Sequence, residues 1–585
     1  MIVDIHQENG RIDISYLEKD GSISILSKRI DCWKYKISPI GTERTWDGQQ
    51  CEKTEYDKLG KHEIRQFLND LPEPEKNLLF QYAIPKVWAC DIEIDVRGQL
   101  HRKLDDITEK ADVPVNLITV TNERLDTVVF ALEQGDRTAD KTGEIRQSIE
   151  SRIFEHISDS STRTKILING LGITKDNPPK VKIYWYSSED KMLRSFFKAQ
   201  ANALHCTIWW NSEGFDNQYL TNRALVLSWE ENFTKDRSSS KFRSYNPREV
   251  KNQMSKGRSI PKSIITESSP CDKFRSRGAI IPDSMLSMYD KKPIIYAPLH
   301  SLNLDYMVII DKFSRRDSKS LKLDVICQEK IGIGKVSYEG NFESLINGST
   351  EEFIFYGCID TVALMILHLV ERALSQLIIS AFDARVPILD GFYVSKCATA
   401  VFSDYFYMEK GLISISTFER FDKSEKEEVV KTKSSLTIKE GYHFTSNVLQ
   451  NNGSIVREFR RDVKPLDKKV KRYEGGYVAP NRLKKILMSV FLDAKSLYPS
   501  SGQSLGCSSE IYLGKATSKG EINEALKKGH RVSFNKNIYD GSEDGALKTI
   551  WSRLIKGRYH SKDLSVNLEN YYLTAVDEAI KQLKE

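Results

Sequence analysis

Hydrophobic and polar positions alternate with a period of two over residues 12–16 and 23–26, which predicts short half-buried strands near the start of the chain. A polar stretch over 61–71 predicts a helix, and Pro72 and Pro74 mark its end. From Val87 the apolar runs thicken, and VWACDIEIDV, VNLITVT, TVVFAL and KVKIYWYSS predict successive strands. The stretch EDKMLRSFFKAQANAL carries Leu193, Phe196, Phe197 and Leu204 on one helical face, with Ser188 as N-cap and Glu189 and Asp190 in the first turn. CTIWW predicts a strand ending at Trp210, followed by a polar turn and a helix over NQYLTNRALVL. A long apolar helix is expected over 353–379. Strands and helices in this alternation predict an α/β sheet domain.

Composition changes that picture only at its edges. With 585 residues the chain is too long for one core, and three to five domains follow from the usual domain size. A hydrophobic share of 40%, a charged share of 29% and a mean hydropathy of −0.44 fit a globular protein. No run of about 18 apolar residues is expected to span a membrane, and MIVDIHQENG lacks the features of a signal peptide. The nine cysteines are scattered without a CxxC pair, which favours reduced thiols in a cytoplasm. The net charge of +6 (87 − 81) is compatible with nucleic acid without demanding it. Residues 235–277 stand apart, with twelve Lys or Arg against four Asp or Glu. They read as a solvated insertion or as a basic flap against a DNA backbone.

Three short stretches carry acids where chemistry needs them. In VWACDIEIDV, strand alternation puts Asp91 and Glu93 on one face. Such a pair suits a divalent cation, although Asp-x-Glu is common and alone reads first as an exposed acidic strand face. In WWNSEGFDNQYL, Asn211, Phe215 and Asp216 gather where a strand turns into a helix, beside the crevice that sheet ends create. A capped helix start with Phe215 packing is the structural alternative. In FYGCIDTVALMILHLV the helical period brings Tyr356 and Asp360, four apart, onto one face. That pair is costly if buried alone and ordinary at a helix edge.

In order, D-x-E, N-x3-F-D and Y-x3-D resemble the three exonuclease motifs of family B DNA polymerases. The resemblance implies an RNase H-like 3′→5′ exonuclease. Asp91, Glu93, Asp216 and Asp360 would bind two divalent ions, Mg2+ or Mn2+, and Tyr356 would help position the attacking water. Asn211 and Phe215 would lie against the frayed 3′ end of the DNA. The gap of 144 residues from Asp216 to Asp360 (360 − 216) is long for the family, and the basic insertion accounts for the excess.

A second set of motifs extends the resemblance. MSVFLDAKSLYPSS is similar to polymerase motif A, DxxSLYPS. This implies Asp493 as a catalytic metal ligand, two metals in that site, and Leu497 and Tyr498 beneath the incoming nucleotide, with Tyr498 excluding a ribose 2′-OH. RYEGGYV resembles the YxGG segment, whose Gly475 and Gly476 would let the backbone approach template phosphates. RLIKGRYHSKDL places Arg558 and Lys562 as triphosphate-gripping residues of a first fingers helix. WWNSEGFDNQYL, the 302–313 stretch and EGGYVAP lean towards the T-even phage branch. After SLYPS the run SGQSLGCSSE departs from the family's apolar residues and Asn.

The expected organisation is an α/β N-terminal domain over 1–86, to which 372–465 returns, and an exonuclease over 87–371. The first part of a truncated palm follows over 466–525, and the start of the fingers over 526–585. No NSxYG motif B or DTD motif C follows. The expected partners are therefore primer-template and single-stranded DNA, dNTPs, and a second polymerase chain that carries both motifs and the thumb. A sliding clamp would be reached through that second chain. No membrane is expected, and the host cytoplasm is the expected location. A free-standing exonuclease and a non-catalytic DNA-binding assembly subunit are the competing readings.

Overall fold

The computed structural model describes residues 1–46, 48–99, 101–133, 142–235, 274–278, 280, 294–298, 301–314, 320–336, 340, 342–414, 429–432, 442–449, 455–461, 508–533, 536–553 and 556. Gly475, Gly476, Asp493, Leu497, Tyr498, Arg558 and Lys562 lie outside the described residues, as does most of the basic 235–277 stretch. The chain divides into two compact units, Met1–Lys34 with Thr54–Asp404, and Tyr35–Lys53 with Tyr405–Glu585. Among the described residues the second unit contains three three-stranded sheets, with central strands Gln50–Glu55, Ile455–Arg461 and Asn537–Tyr539, the first of them extending a residue or two past the boundaries of Tyr35–Lys53.

The first unit opens with an antiparallel meander, β1 (Ile2–Glu8), β2 (Arg11–Leu17) and β3 (Ile23–Arg29). Alternation sends Ile12 and Ile14 to a core shared with Leu68 of α1 (Lys61–Asn69). The main sheet has six strands: β4 (Val87–Ile94), β5 (Val115–Thr121), β6 (Thr127–Leu132), β7 (Val181–Tyr186), β8 (Cys206–Trp209) and β9 (Leu302–Asp305). Their spatial order is β7-β6-β5-β4-β8-β9. β5 runs antiparallel to both neighbours, while β7 pairs parallel with β6, and β4, β8 and β9 pair parallel with one another. The protein is thus a mixed α/β fold around a sheet that is largely parallel.

Helices cover both faces of this sheet. One face is packed by α2 (Thr142–Ser158), through Ile149, Ile153 and Ile157, and by the apolar helix α7 described below. The other is packed by α3 (Glu189–Asn202), through Leu193, Phe196 and Phe197, and by α4 (Asp216–Lys235), through Tyr219 and Leu220. Each such buried aliphatic or aromatic side chain contributes about 1.5–3 kcal/mol. Further along the chain come α5 (Tyr306–Phe313), α6 (Leu323–Ile331), α7 (Thr350–Glu371), α8 (Ala373–Asp383) and α9 (Val394–Asp404).

Three sequence expectations are corrected here. The helix expected over 353–379 is two helices, because Arg372 adopts a left-handed φ of 51° and ends α7 one residue before α8 begins. Ser188 does occupy the N-cap of α3 but makes no capping hydrogen bond. α7 is long and apolar enough to cross a membrane, with a mean hydropathy of 2.0, contrary to the expectation of no such run. Burial of 89% of that stretch inside the protein identifies it as a core helix. The seven described cysteines are free thiols.

Candidate functional site

Alternation along β4 decides which side chains meet α7. Val87 and Ala89 join the core on the α7 side, and Cys90, Ile92 and Ile94 the core under α3 and α4. Asp91 and Glu93 therefore point to the α7 side, where β4 and β5 slip register. Glu93 pairs with Leu117 and Ile94 with Val115, which leaves Asn116 as an extra residue beside the acids. Bulges of this kind commonly re-aim side chains near a site.

α7 approaches the sheet closely because residue 357 is glycine. A Cβ there would stand 2.7 Å from Leu117 Cδ2 and 3.2 Å from Thr119 Cγ2. The Thr119 hydroxyl donates to the Gly357 carbonyl at 3.1 Å, and the Thr121 and Thr361 hydroxyls pair at 2.7 Å. This fixes the helix so that Tyr356 and Asp360 face β4. One ligand oxygen from each of Asp91, Glu93 and Asp360 lies within 4.8 Å of the others, close enough to hold a metal ion together.

Asp216 enters from the other side of the cleft as the first residue of α4. The helix is oriented by a buried ion pair, in which Arg223 donates to both oxygens of Glu189 at 2.9 and 2.7 Å, and by the Tyr219 hydroxyl, which donates to the Val113 carbonyl. Strand β8 ends at Trp209, one residue earlier than the sequence pattern predicts, and Asn211 follows with a left-handed φ of 61°. Asn is among the few residues that adopt that conformation readily. Its carbonyl accepts from Gly214 and Phe215 at 3.0 and 2.9 Å, closing the turn that delivers Phe215 and Asp216. Asp91, Glu93, Asn211, Phe215, Asp216 and Tyr356 all line one cleft of about 970 Å³, with Asp360 beside them. All seven exonuclease positions expected from the sequence are brought together.

Two further residues, one lining this cleft and one supporting its wall, were not singled out in the sequence. Lys335 reaches in with Nζ 2.5 Å from Asp360 Oδ2 and 3.3 Å from the Tyr356 hydroxyl, and its backbone N–H is held by Asp324 at 2.7 Å. The available signal was a lone lysine in the apolar run Ile-Gly-Ile-Gly-Lys, where Ile331 and Ile333 are buried. Asp305, at the end of β9, accepts from the backbone N–H groups of Asn211 at 3.0 Å, Glu213 at 3.3 Å and Met307 at 3.1 Å. It thereby caps α5 and anchors the Asn211 turn with one carboxylate.

The electrostatics mark a site short of positive charge. Burial, then the nearby Asp360 carboxylate, pushes Asp91 up to about 7. Burial first, and Asp91 second, holds Glu93 and Asp216 well above the usual carboxylate range. Asp360 is also raised, because burial outweighs the opposing pull of Lys335. Burial works against the Lys335 charge, but Asp360, Tyr356 and Asp91 overcome it and raise its pKa. Asp360 Oδ1 is buried without a hydrogen-bond partner among the described residues. An orphaned carboxylate oxygen amid three other acids fits oxygen-ligated divalent cations such as Mg2+ or Mn2+.

The chain matches no protein-family model and no curated protein. The chemistry of the cleft therefore rests on its own residues.

Proposed function

We propose that the first unit is a 3′→5′ DNA exonuclease of the family B polymerase type, with an RNase H-like fold. The carrying observation is the convergence of Asp91, Glu93 and Asp360 within metal-ligand distance, with Asp216 across the same cleft. The sheet supports the fold assignment, since one antiparallel strand, β5, sits among otherwise parallel neighbours and two of the four acids, Asp91 and Glu93, arise from the central β4. Asp91, Glu93, Asp216 and Asp360 would hold two divalent ions, which supply an activated water and stabilise the leaving oxygen of a phosphodiester.

The chain's own groups carry the rest. Phe215 and Asn211 stand at the cleft wall, where an aromatic face and an amide can hold a terminal nucleotide. The Tyr356 hydroxyl is poised to orient a water, and Lys335 places a fixed positive charge where a phosphate would otherwise meet four acids. The polymerase half of this reading rests on the DAKSLYPS sequence alone, with Asp493 as the motif A acid.

The test is digestion of 3′-labelled single-stranded DNA by the purified chain with Mg2+ or Mn2+. Replacing Asp91 and Glu93 together with Ala is expected to lower the rate by about 10³-fold or more, since half of the acidic ligands go. A wild-type protein that leaves the label intact with either ion overturns the assignment. The polymerase reading is tested by primer extension after mixing with a chain that carries motifs B and C. Extension by the mixture, abolished by Asp493→Ala, is the expected outcome. Extension by this chain alone would overturn the split active site, and none from the mixture would leave the exonuclease as the function.

A further inference from the structure

The first unit contains a second cavity, of about 560 Å³, lined by α1, β1, the 386–390 segment and α9. That volume falls in the range of small-molecule sites. Its depth is apolar: Val3, Leu68, Val386 and Ala400 are each at most 5% exposed. Its mouth carries Lys61 from α1 and Ser395 and Lys396 from α9, all exposed.

The polar groups inside are arranged unequally. His62 is 9% exposed and lines the cavity, with Nδ1 3.1 Å from the Ser403 hydroxyl. Its Nε2 has no hydrogen-bond partner among the described residues. Burial pushes this imidazole down to about 4, so at neutral pH it is an uncharged hydrogen-bonding group. The cations differ in how far they are committed. Arg65 pairs with Asp404, and Lys396 with Asp390 at 2.5 Å. Lys61 has no acidic partner among the described residues.

We propose that this cavity binds a small heteroaromatic anion, of the size and polarity of a nucleoside monophosphate. The ring faces would rest on Val3, Leu68 and Val386, a ring-edge polar atom would meet His62 Nε2, and the anionic group would sit beside Lys61. A purely aliphatic body would bury Nε2 unsatisfied, at a cost of about 1–3 kcal/mol. A cationic ligand would meet the exposed charge of Lys61, and the two carboxylates of the lining are already engaged, Asp390 by Lys396 and Asp4 by the Ile5 N–H at 2.9 Å. The inference stands apart from the nuclease reading, because none of these residues lines the acid cleft.

The experiment is titration calorimetry of the full chain with each deoxynucleoside 5′-monophosphate, and with octanoate as an aliphatic anion. EDTA and the Asp91→Ala, Glu93→Ala background keep the acid cleft from recruiting nucleotide. Saturable one-site binding of at least one monophosphate is expected, with a Kd on the order of 0.1–1 mM. Lys61→Ala, on the surface, is expected to weaken it roughly tenfold, and His62→Phe to weaken it similarly while keeping the ring's packing. Absence of saturation by every monophosphate up to about ten times that Kd would overturn the proposal. So would octanoate binding as tightly, or affinity unchanged in the Lys61→Ala protein.

Discussion

The acid cleft under β4 and the cavity along α1 are cut into the same unit, yet they treat buried charge in opposite ways. In the cleft, Asp91, Glu93, Asp216 and Asp360 are met by Lys335, which pairs with Asp360, while exposed Lys322 stands on the cleft lining, and the acids are held above their usual pKa range. Along α1, Arg65 is matched by both oxygens of Asp404, Asn69 adds a hydrogen bond to the same carboxylate at 2.9 Å, and His62 is neutral. Burying like charges together costs energy that proton uptake or a bound cation can return. On the function proposed above, the pocket that the fold does not neutralise internally is the one that takes the ions.

The sharpest way to break that contrast is to unbalance the pocket that is now balanced. Arg65→Ala would leave the partly buried Asp404 beside α1 without its guanidinium, and would free the carbonyls of Ala384 and Arg385. Loss of one partner of such a pair costs about 3–5 kcal/mol. Urea unfolding followed by tryptophan fluorescence should show a fall of that size. Asp404→Ala added to it should cost much less than the sum of the single changes, because the orphaned charge disappears. A single-variant loss below about 1 kcal/mol would mean that the pair is not what holds α1 against α9.

How much of this was legible in the sequence depends on periodicity. Asp91 and Glu93 follow from a period of two, and Tyr356 and Asp360 from a period of 3.6, so the residues alone assign each pair to a shared face. Lys335 and Asp305 have no such signal. Lys335 stands in a glycine-rich turn where no period assigns a face, and Asp305 ends a four-residue buried strand that reads as plain core. The break at Arg372 was hidden because arginine is a good helix former, and its left-handed backbone is set by the packing of two helices. The basic 235–277 stretch could be delimited by composition, but its strand Phe274–Gly278 pairs with Ile294–Pro298 outside it, a pairing that composition does not encode. Ser188 has the right position and residue type for a cap. The next residue, Glu189, instead accepts the Val115 N–H at 2.8 Å and binds Arg223.

A smaller effect probes how the acid cleft is assembled rather than its charge. Asp305→Asn keeps the size of the side chain but turns one acceptor oxygen into a donor that faces backbone N–H groups. Burial, and next the neighbouring Glu213, already lifts Asp305 to about 7. A stability cost of about 1–2 kcal/mol is expected from the lost acceptor. In nuclease assays kcat should fall roughly tenfold, with KM for single-stranded DNA rising as the Asn211 turn loosens. If stability drops while both kinetic constants hold, Asp305 caps α5 and does nothing for the cleft.

The mildest change tests the charge argument directly, because it should stabilise the protein. In the metal-free folded chain Asp91 sits at about 7, against about 3.9 when unfolded. Between those values the folded state holds a proton that the unfolded chain has released, so stability falls as pH rises through the window. The loss is absent below the unfolded value and complete above the folded one. Asn cannot ionise, so Asp91→Asn should match the wild type near pH 4 and exceed it at pH 8, in EDTA, by about 2 kcal/mol. Partial exposure of Asp91 keeps the gain to that size, and removing its charge also relieves Glu93 and Asp216. Thermal melts at both pH values provide the measurement. Added Mg2+ should then reverse the ranking at pH 8, since the ion stabilises only the protein that kept its ligand. An Asn variant that is less stable at pH 8 without metal would show that the four acids are balanced within the fold, and the contrast between the two pockets would collapse.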